Sequence, residues 1–332
     1  MAHADEHTPY QRALKFLIDN EPEKRLDIQL SYQNFIALEE QAHTLYGDAK
    51  YPRVEYADSD SRVTIYTAPT ALHSQAAVNL EGAIRDSILK VLVQQNKEDL
   101  IDYIVRVGES TQESVNDQGT GSTKTPDGGL LFYNNKRSAL TLIIEAGVSE
   151  GYRALKRDIE LWLNEFRCPT CILFWLNENP RFRNPRGADK YPVTEHSAFD
   201  EAIQQDGNNH PFGPYSFRDH CWFGPLTKAF IEVFKRDAST GDIESTKHML
   251  IENGTMVVDG DHLNLGLNLG DFFPDVPEID SIRGVPIEIT TKFVRQFVVS
   301  AAQRTAEARF NRFVRTSKRT LRPRPTAGRL EA

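Results

Sequence analysis

The segment from Thr125 to Leu163 reads TPDGGLLFYNNKRSALTLIIEAGVSEGYRALKRDIELWL. It places Asp127 in front of a short apolar strand and Glu145 directly after a second one, which we predict over residues 140–144. Polar residues 134–138 favour a turn, which makes the two strands an antiparallel hairpin. In such a hairpin the start of the first strand lies beside the end of the second. The sequence therefore predicts two neighbouring carboxylates at one sheet edge.

Two adjacent carboxylates repel each other, and the pair is most stable when a cation lies between them. Carboxylate oxygens are ligands that Mg²⁺ and Mn²⁺ prefer, so the pattern indicates a divalent-metal site. A structural interpretation stays open, in which Asp127 belongs to a Pro-Asp-Gly turn and Glu145 forms an ion pair with Arg153. Spacing alone favours the turn, whereas a carboxylate between an apolar strand and a helix favours the metal site.

Short motifs in this segment resemble the signature of the PD-(D/E)XK nuclease superfamily, which has Pro-Asp before one strand and acid-any-Lys at the next. The matching residues are Pro126-Asp127 and Glu145-Ala146-Gly147. The resemblance implies an α/β fold, with a mixed central sheet flanked by helices, and metal-dependent hydrolysis of DNA phosphodiester bonds. It also implies Asp127, Glu145 and the backbone carbonyl of Ala146 as ligands of Mg²⁺ or Mn²⁺.

A longer stretch of the sequence resembles the restriction-endonuclease family of that superfamily and its fungal relatives. In that family an I-I-E-x-G-x-S-E run leads into a helix that carries D-x-x-x-W-L. This chain has the run at residues 143–150, followed by Asp158 and Trp162-Leu163. The family also has a strand pair followed by P-T-x-x-H and a long helix, which residues 69–73 match here. His73 in that motif either orients a phosphate or caps and packs the helix.

One position departs from the pattern, because Gly147 stands where the superfamily has lysine. A replacement amine then has to come from the following helix, and Lys156 is the candidate. In the superfamily an acid on the first core helix often completes the metal site, so Glu81 is a further candidate ligand; its alternative is a solvated helix carboxylate. The missing lysine leaves two functions open: an active endonuclease, or a catalytically inactive nuclease-fold module that binds nucleic acid or protein.

The composition is typical of a globular intracellular protein, with 39% hydrophobic and 26% charged residues among 332. The chain lacks an apolar run of roughly 18 residues, and its first residues lack the features of a secretory signal. Three cysteines, an odd number, argue against a disulfide framework. The net charge of −8 argues against a protein that coats nucleic acid non-specifically. We expect DNA as a partner and no association with a membrane. The sequence leaves open whether the chain forms a homodimer.

The order of apolar and polar segments, together with the resemblance to the nuclease superfamily, predicts five regions. They are covering helices in residues 1–50, the nuclease-like core in 51–178, an irregular insertion in 179–218, a strand-plus-helix extension in 219–320 and a basic, disordered tail in 321–332. Apolar periodicity predicts helices over residues 9–20, 32–45, 71–95, 149–165 and 286–319. It predicts strands over residues 53–56, 63–66, 101–107, 171–176, 222–234, 249–258 and 261–273. Residues 108–124 show no periodicity, which predicts a long surface loop.

Cys168 and Cys171 have the C-x-x-C spacing of a redox pair or of half a zinc site, which His220 and Cys221 then complete. A redox pair follows a strand and opens a helix, whereas this pair ends a helix and opens a strand. Buried structural thiols are therefore the preferred interpretation.

Basic residues are concentrated between residues 303 and 332, where nine arginines and lysines stand against Glu307 and Glu331. These residues either contact phosphates or form the solvated face of a docking helix. Phosphate contact predicts binding that weakens steeply with added salt.

Overall fold

The computed structural model of the chain describes residues 8–47, 51–108, 110–115, 120–134, 137–148, 151–185, 195–237, 239–258 and 260–320. Within these ranges the fold is α/β, as predicted, with a seven-stranded mixed sheet, a five-stranded sheet and two short strand pairs. The helices are α1 (Pro9–Asp19), α2 (Tyr32–Tyr46), α3 (Ala71–Gln94), α4 (Tyr152–Asn164), α5 (His196–Asn209) and α6 (Thr291–Thr320). Short 3-10 helices span Glu98–Tyr103, Leu269–Asp271 and Pro277–Ile282.

The strands alternate with these helices along the chain. The first eight are β1 (Arg25–Gln29), β2 (Arg53–Ala57), β3 (Arg62–Tyr66), β4 (Ile104–Arg106), β5 (Gln112–Val115), β6 (Gly121–Lys124), β7 (Gly128–Asn134) and β8 (Arg137–Val148). The remaining eight are β9 (Thr170–Glu178), β10 (Tyr215–Phe217), β11 (His220–Phe223), β12 (Leu226–Arg236), β13 (Ile243–Glu252), β14 (Thr255–Met256), β15 (His262–Asn268) and β16 (Pro286–Thr290).

The large sheet has the strand order β14-β13-β12-β9-β8-β7-β4. Its one parallel pair is β8 with β9, which α4 connects. Side chains of β8 alternate between two cores: Leu142 and Ile144 pack in the cluster that contains α3 and α6, while Ile143 packs against α4. Glu145 shares the strand face of Ile143, so the topology directs its carboxylate toward α4.

The small sheet has the order β1-β3-β2-β6-β5, and α1 and α2 cover it with a separate apolar cluster. Both covering helices form where the sequence predicts them, but β1 between them was not predicted. Strand β6 ends at Lys124, and the chain then passes through residues 125–127 into β7 of the large sheet. Residues 125–127, which contain the Pro-Asp motif, therefore connect the two sheets.

The predicted loop over residues 108–124 is wrong, because β5 and β6 form a hairpin in this segment. The side chains that β6 buries are Ser122 and Lys124, so the strand carries no apolar alternation that the sequence could reveal. Hydrogen bonds and ion pairs hold these side chains instead, as for Ser122 Oγ, which accepts from the backbone N–H of Asp58 at 2.8 Å.

The C-terminal region is more closely integrated than the five predicted regions indicate. Strand β12 pairs with β9, so β12 to β14 extend the same sheet as the core. The predicted insertion contains α5, and the predicted last helix begins with β16 instead, which pairs with β15. Residues 149–150 at the predicted start of α4 and the tail from 321 to 332 lie outside the described residues. Among the helices that the structure describes, none combines the length and the apolar character of a membrane span.

Candidate active site at the junction of the two sheets

The predicted hairpin of β7 and β8 brings Asp127 and Glu145 to the same cavity. Gly128, the first residue of β7, pairs with Ile144 of β8. This pairing places Asp127, which precedes β7, beside Glu145. The Asp127 carboxylate accepts a hydrogen bond from the backbone N–H of Ala146 at 3.0 Å through Oδ2. Both acids line a cavity of about 10 Å³, which is roughly the space of one water molecule.

A buried lysine, which the sequence analysis did not select, lies beside Glu145. The side chain of Lys124 is 2% exposed, and its Nζ lies 3.1 Å from Glu55 Oε2, 3.5 Å from Glu145 Oε1 and 3.7 Å from Asp158 Oδ1. Three carboxylates from β2, β8 and α4 therefore surround one ammonium group. Because their elements are distant in sequence, only the assembled fold produces this cluster.

Glu145 is also hydrogen-bonded by an indole. Trp162 on α4 is fully buried, and its Nε1–H donates to Glu145 Oε1. The alternative of an ion pair with Arg153 is wrong for this structure, since that arginine is exposed while Glu145 is 4% exposed. The buried carboxylate is therefore held by Lys124 and Trp162.

Asp127 has a different set of partners on the other side of the cavity. Its Oδ2 lies 3.1 Å from His73 Nε2, and its Oδ1 lies 3.3 Å from a terminal nitrogen of Arg53. His73 reaches this position from the first turn of α3, where its backbone N–H donates to Thr70 Oγ1 at 3.1 Å. The histidine is thus both part of the helix start and a partner of the site carboxylate.

These surroundings shift the pKa values of the two acids in opposite directions. Burial raises the pKa of Glu145 well above its ordinary value, and the neighbouring Lys124 charge offsets only part of this effect. Burial also acts to raise the pKa of Asp127, but His73, Arg53 and the Ala146 N–H outweigh it and lower that pKa. Glu145 is therefore the less compensated carboxylate of the pair.

The pKa of Lys124 is raised well above its ordinary value for a related reason. Burial alone would lower this pKa, but the charges of Asp158, Glu145 and Glu55 outweigh it. Lys124 is consequently charged at neutral pH.

Asp158 from the D-x-x-x-W-L run has a positioning role that joins α4 to the small sheet. Both of its oxygens accept from Arg25 on β1, at 2.7 and 3.2 Å, and Tyr66 Oη donates to Oδ2 at 3.2 Å. A bidentate pair of this kind fixes orientation as well as distance. These contacts therefore fix α4 to the small sheet next to Lys124.

Two of the predicted site residues lie outside this cavity. Glu81 is buried at 3% exposure, where it accepts from the Gly129 N–H at 2.8 Å and pairs with Arg106 Nε at 3.0 Å. The solvated interpretation of Glu81 is therefore wrong, and the residue does not line the cavity of Asp127. Lys156 is exposed on α4 because Leu155 and Asp158 occupy the inward positions of that helix turn.

The donor chemistry at the cavity fits a hard divalent cation. Asp127 and Glu145 provide carboxylate oxygens and Ala146 also lines the cavity, while burial raises the pKa of Glu145 because the nearby Lys124 charge offsets only part of its desolvation. Within the described ranges, however, no group of three or more His, Cys, Asp or Glu side chains is arranged to hold a metal ion. An ion here therefore depends on two side chains, one carbonyl and water.

A wide cleft of about 950 Å³ opens over the small cavity. The two share Arg53, Tyr66 and His73, so Asp127 lies below the floor of the cleft. The small cavity therefore adjoins the cleft on the side of Arg53 and His73.

The cysteines take no part in this site. All three are free, Cys168 and Cys171 are buried, and Cys221 is exposed. Burial raises the pKa of Cys171 well above its ordinary value, which keeps it a thiol at neutral pH. The zinc alternative with His220 finds no ligand cluster within the part of the chain that the structure describes.

Comparisons with protein-family models, with curated proteins and with solved structures find no match to this chain. The functional argument therefore depends on the geometry of the site. The structure adds Lys124 and Arg53 to the site. Lys124 had one signal in the sequence, its position three residues before Asp127 in Lys-Thr-Pro-Asp. Arg53 had none.

Proposed function

We propose that the chain is a nuclease-type phosphodiesterase that cleaves DNA with Mg²⁺ or Mn²⁺, and that α3, β7, β8, α4 and β9 form a PD-(D/E)XK-like core. The observation that carries this proposal is the distance of 3.5 Å between Lys124 Nζ and Glu145 Oε1, beside Asp127. Two acids and one amine at a single cavity are the groups that the resembled superfamily uses. Here the amine comes from β6 rather than from β8.

The packing around Gly147 supports this change of origin. A Cβ atom built on Gly147 lies 2.2 Å from Cδ1 of Leu155, which is closer than carbon atoms can approach. Leu155 is 2% exposed and fills the space that a side chain at 147 needs. A lysine at position 147 would therefore require Leu155 to move out of its packed position, whereas Lys124 reaches Glu145 from the other sheet.

Each residue then has a defined part in phosphodiester cleavage. Asp127, Glu145 and the Ala146 carbonyl would hold the metal, and a bound Mg²⁺ or Mn²⁺ would supply Lewis-acid chemistry and a more acidic water at this position. Lys124 provides positive charge next to the reacting group, where negative charge develops. Arg53 and His73 face both the cavity and the cleft and orient the phosphate.

Cleavage of supercoiled plasmid tests the proposal directly. We expect nicking that needs Mg²⁺ or Mn²⁺, stops with a chelator and falls at least about 100-fold in Asp127→Asn, Glu145→Gln and Lys124→Met. Lys156→Met is the matched control, because it removes an exposed amine from α4, and we expect it to cleave normally. Intact plasmid with the wild-type chain and either metal excludes the hydrolase, and cleavage that survives Lys124→Met removes the role of Lys124.

A second candidate function is a metal-independent module that binds nucleic acid without cleaving it. The observation that favours it is the Lys124 ammonium, which already places a positive charge among Glu55, Glu145 and Asp158. Oligonucleotide binding that is unchanged by a chelator and by Asp127→Asn, with no cleavage under any condition, supports the module. Metal-dependent cleavage excludes it.

A further inference from the structure

The cleft above Asp127 has two walls that are far apart in sequence. One wall consists of residues 21–25 and the ends of β2 and β3. The other consists of residues 181–184, which follow β9, and of Arg309 and Arg312 on α6. The second wall thus belongs to the part of the chain that lies outside the nuclease-like core.

Positive charge is concentrated in this cleft, although the whole chain has a net charge of −8. Seven lysines and arginines line it, against four acids. Arg309 is committed to Glu178 and Glu23 through contacts of 2.7 and 3.0 Å. Arg181 and Arg183 are exposed, and neither has an acidic partner among the residues that the structure describes. These two guanidinium groups are therefore available to an anionic ligand.

Aromatic side chains alternate with these cations. Phe182 lies between Arg181 and Arg183, is half-buried, and has the Arg309 guanidinium 4.6 Å from its ring centroid. On the opposite wall, the Arg53 guanidinium lies 4.9 Å from the centroid of Tyr51. A cationic groove with interspersed aromatic rings is the arrangement that binds unpaired nucleotides, because the cations contact phosphates and the rings stack on bases.

We propose that this cleft binds a single strand of nucleic acid, with Arg181 and Arg183 on phosphates and Phe182 against a base; the inference rests on the proposed function, since it supplies the substrate of the same site. The volume of about 950 Å³ lies within the range of small-molecule pockets, roughly 300–1,000 Å³. That space is large enough for a few unpaired nucleotides. The C-terminal wall then presents the strand to Arg53, His73 and Asp127 below.

Binding of a short fluorescein-labelled oligothymidylate, measured by anisotropy in the presence of a chelator, tests the cleft without cleavage. We expect Arg181→Ala/Arg183→Ala to weaken binding at least tenfold. We also expect the slope of log affinity against log salt to become shallower by about 1.4, which is the loss of two phosphate contacts on a single strand. The matched control is Arg295→Ala/Arg304→Ala, which removes two exposed arginines of α6 outside the cleft. We expect the control to bind like wild type.

Phe182→Leu tests stacking, because leucine keeps apolar volume beside Arg309 but removes the ring face. We expect binding about tenfold weaker with an unchanged salt slope. If Phe182→Leu lowers the melting temperature, Phe182→Tyr is the second variant to measure. It keeps the ring, and we expect it to bind like wild type. Unchanged binding in Phe182→Leu, or weak binding in a folded Phe182→Tyr, overturns the stacking contact.

Three results decide against the cleft itself. Equal weakening in the control pair shows non-specific attraction, unchanged binding in the Arg181 and Arg183 pair shows another surface, and tighter binding of a duplex of the same length excludes a single-strand groove. Failure of the hydrolase is a separate outcome. Binding that depends on the cleft, without any cleavage, supports this inference and excludes the hydrolase. Cleavage by the wild-type chain, with cleft variants that bind normally, supports the hydrolase and excludes this inference.

Discussion

The ammonium of Lys124 and the carboxylate of Glu145 lie 3.5 Å apart, although the lysine ends a strand of the small sheet and the acid belongs to the large one. Both groups are almost completely removed from solvent, with side-chain exposures of 2% and 6%. A charge that is buried without its partner is costly, because neither water nor protein compensates it. The stability of the sheet junction therefore depends on the Lys124 ammonium, which stays compensated as long as carboxylates surround it.

Lys124→Met should be strongly destabilising for this reason. It leaves Glu55, Glu145 and Asp158 without their shared cation, and we expect a loss of about 3–5 kcal/mol in the free energy of unfolding at pH 7. Urea denaturation measures it. Lys156→Met removes an exposed amine and should change the same quantity by less than about 0.5 kcal/mol. Equal losses in the two variants contradict the buried cluster.

Removal of the same amine should also create a divalent-metal site. In Lys124→Met three carboxylates remain around a space without a cation, and Mg²⁺ has the charge and the ligand preference to fill it. A ligand that binds only the folded state raises the free energy of unfolding, by about 2.7 kcal/mol at 100 times its Kd. We expect Mg²⁺ to raise the melting temperature of the variant more than that of the wild-type chain. An equal response in both proteins contradicts the reasoning that the Lys124 ammonium is the cation shared by Glu55, Glu145 and Asp158.

The opposite pKa shifts of the two site acids predict opposite effects of their neutral analogues. The pKa of Glu145 is raised, mainly by burial, so its ionisation costs stability as the pH rises above about 4. Glu145→Gln retains an oxygen for the Trp162 N–H and avoids this cost. Its free energy of unfolding should therefore exceed that of wild type at pH 7, and the difference should shrink as the pH falls toward about 4. A Glu145→Gln variant that is less stable at pH 7 contradicts this reasoning.

Asp127→Asn should have the reverse sign. The pKa of Asp127 is lowered because His73, Arg53 and the Ala146 N–H together outweigh its burial. The ionised carboxylate therefore stabilises the fold fully above its unfolded pKa of about 3.9, and this contribution is lost as the pH falls further. We expect the variant to be less stable than wild type at pH 7 and to approach it in acid. Urea denaturation across the same pH series measures both acids.

How much of this site the sequence predicts depends on which interactions leave a local pattern. The hairpin of β7 and β8, the helix α3 and the buried strand β9 all have apolar periodicity, and each forms where the pattern places it. Lys124 has no such signal, because its burial becomes favourable only when Glu55, Glu145 and Asp158 surround it. A segment of Ser, Thr and Lys then resembles a loop in sequence while it forms a strand.

The helical pattern of α4 is enough to exclude Lys156 as the replacement amine. Leu155 and Ile159 are four positions apart and both face the core, so the position directly after Leu155 turns toward solvent. Helical phase alone therefore removes Lys156 from the cavity. Which residue replaces it is a tertiary question, since Lys124 lies on a different sheet.

The three cysteines should differ in reactivity. Cys221 is exposed, whereas Cys168 and Cys171 are buried; burial raises the pKa of Cys171 well above its ordinary value and raises that of Cys221 as well. A thiol reagent such as Ellman's reagent should react rapidly with one thiol in the native chain and with three after unfolding. Cys221→Ser should abolish the native reaction. Rapid reaction of Cys168 or Cys171 in the folded protein supports instead the redox interpretation of the C-x-x-C spacing.

The pair of Arg309 and Glu178 should determine whether the second wall of the cleft is in place. Arg309 contacts both oxygens of Glu178 at 2.7 and 2.9 Å, and the exposures of the two side chains are 3% and 1%. Because Glu178 ends β9 and Arg309 lies on α6, the pair fixes the helix to the large sheet. Arg309→Met should cost about 3–5 kcal/mol, since it removes the guanidinium that balances the charge of a buried carboxylate.

Glu178→Gln together with Arg309→Met separates the pair from simple packing. The glutamine oxygen can still accept the Gly224 N–H, which lies 2.8 Å from Glu178 Oε1, so the double variant has no buried charge without a partner. We expect it to be more stable than Arg309→Met alone in urea denaturation, since removing the stranded carboxylate restores part of the loss. Arg304→Met, an exposed arginine of the same helix, should be near wild type. A double variant no more stable than Arg309→Met means that the arginine acts by packing on Phe182, and the wall then depends on that ring rather than on the ion pair.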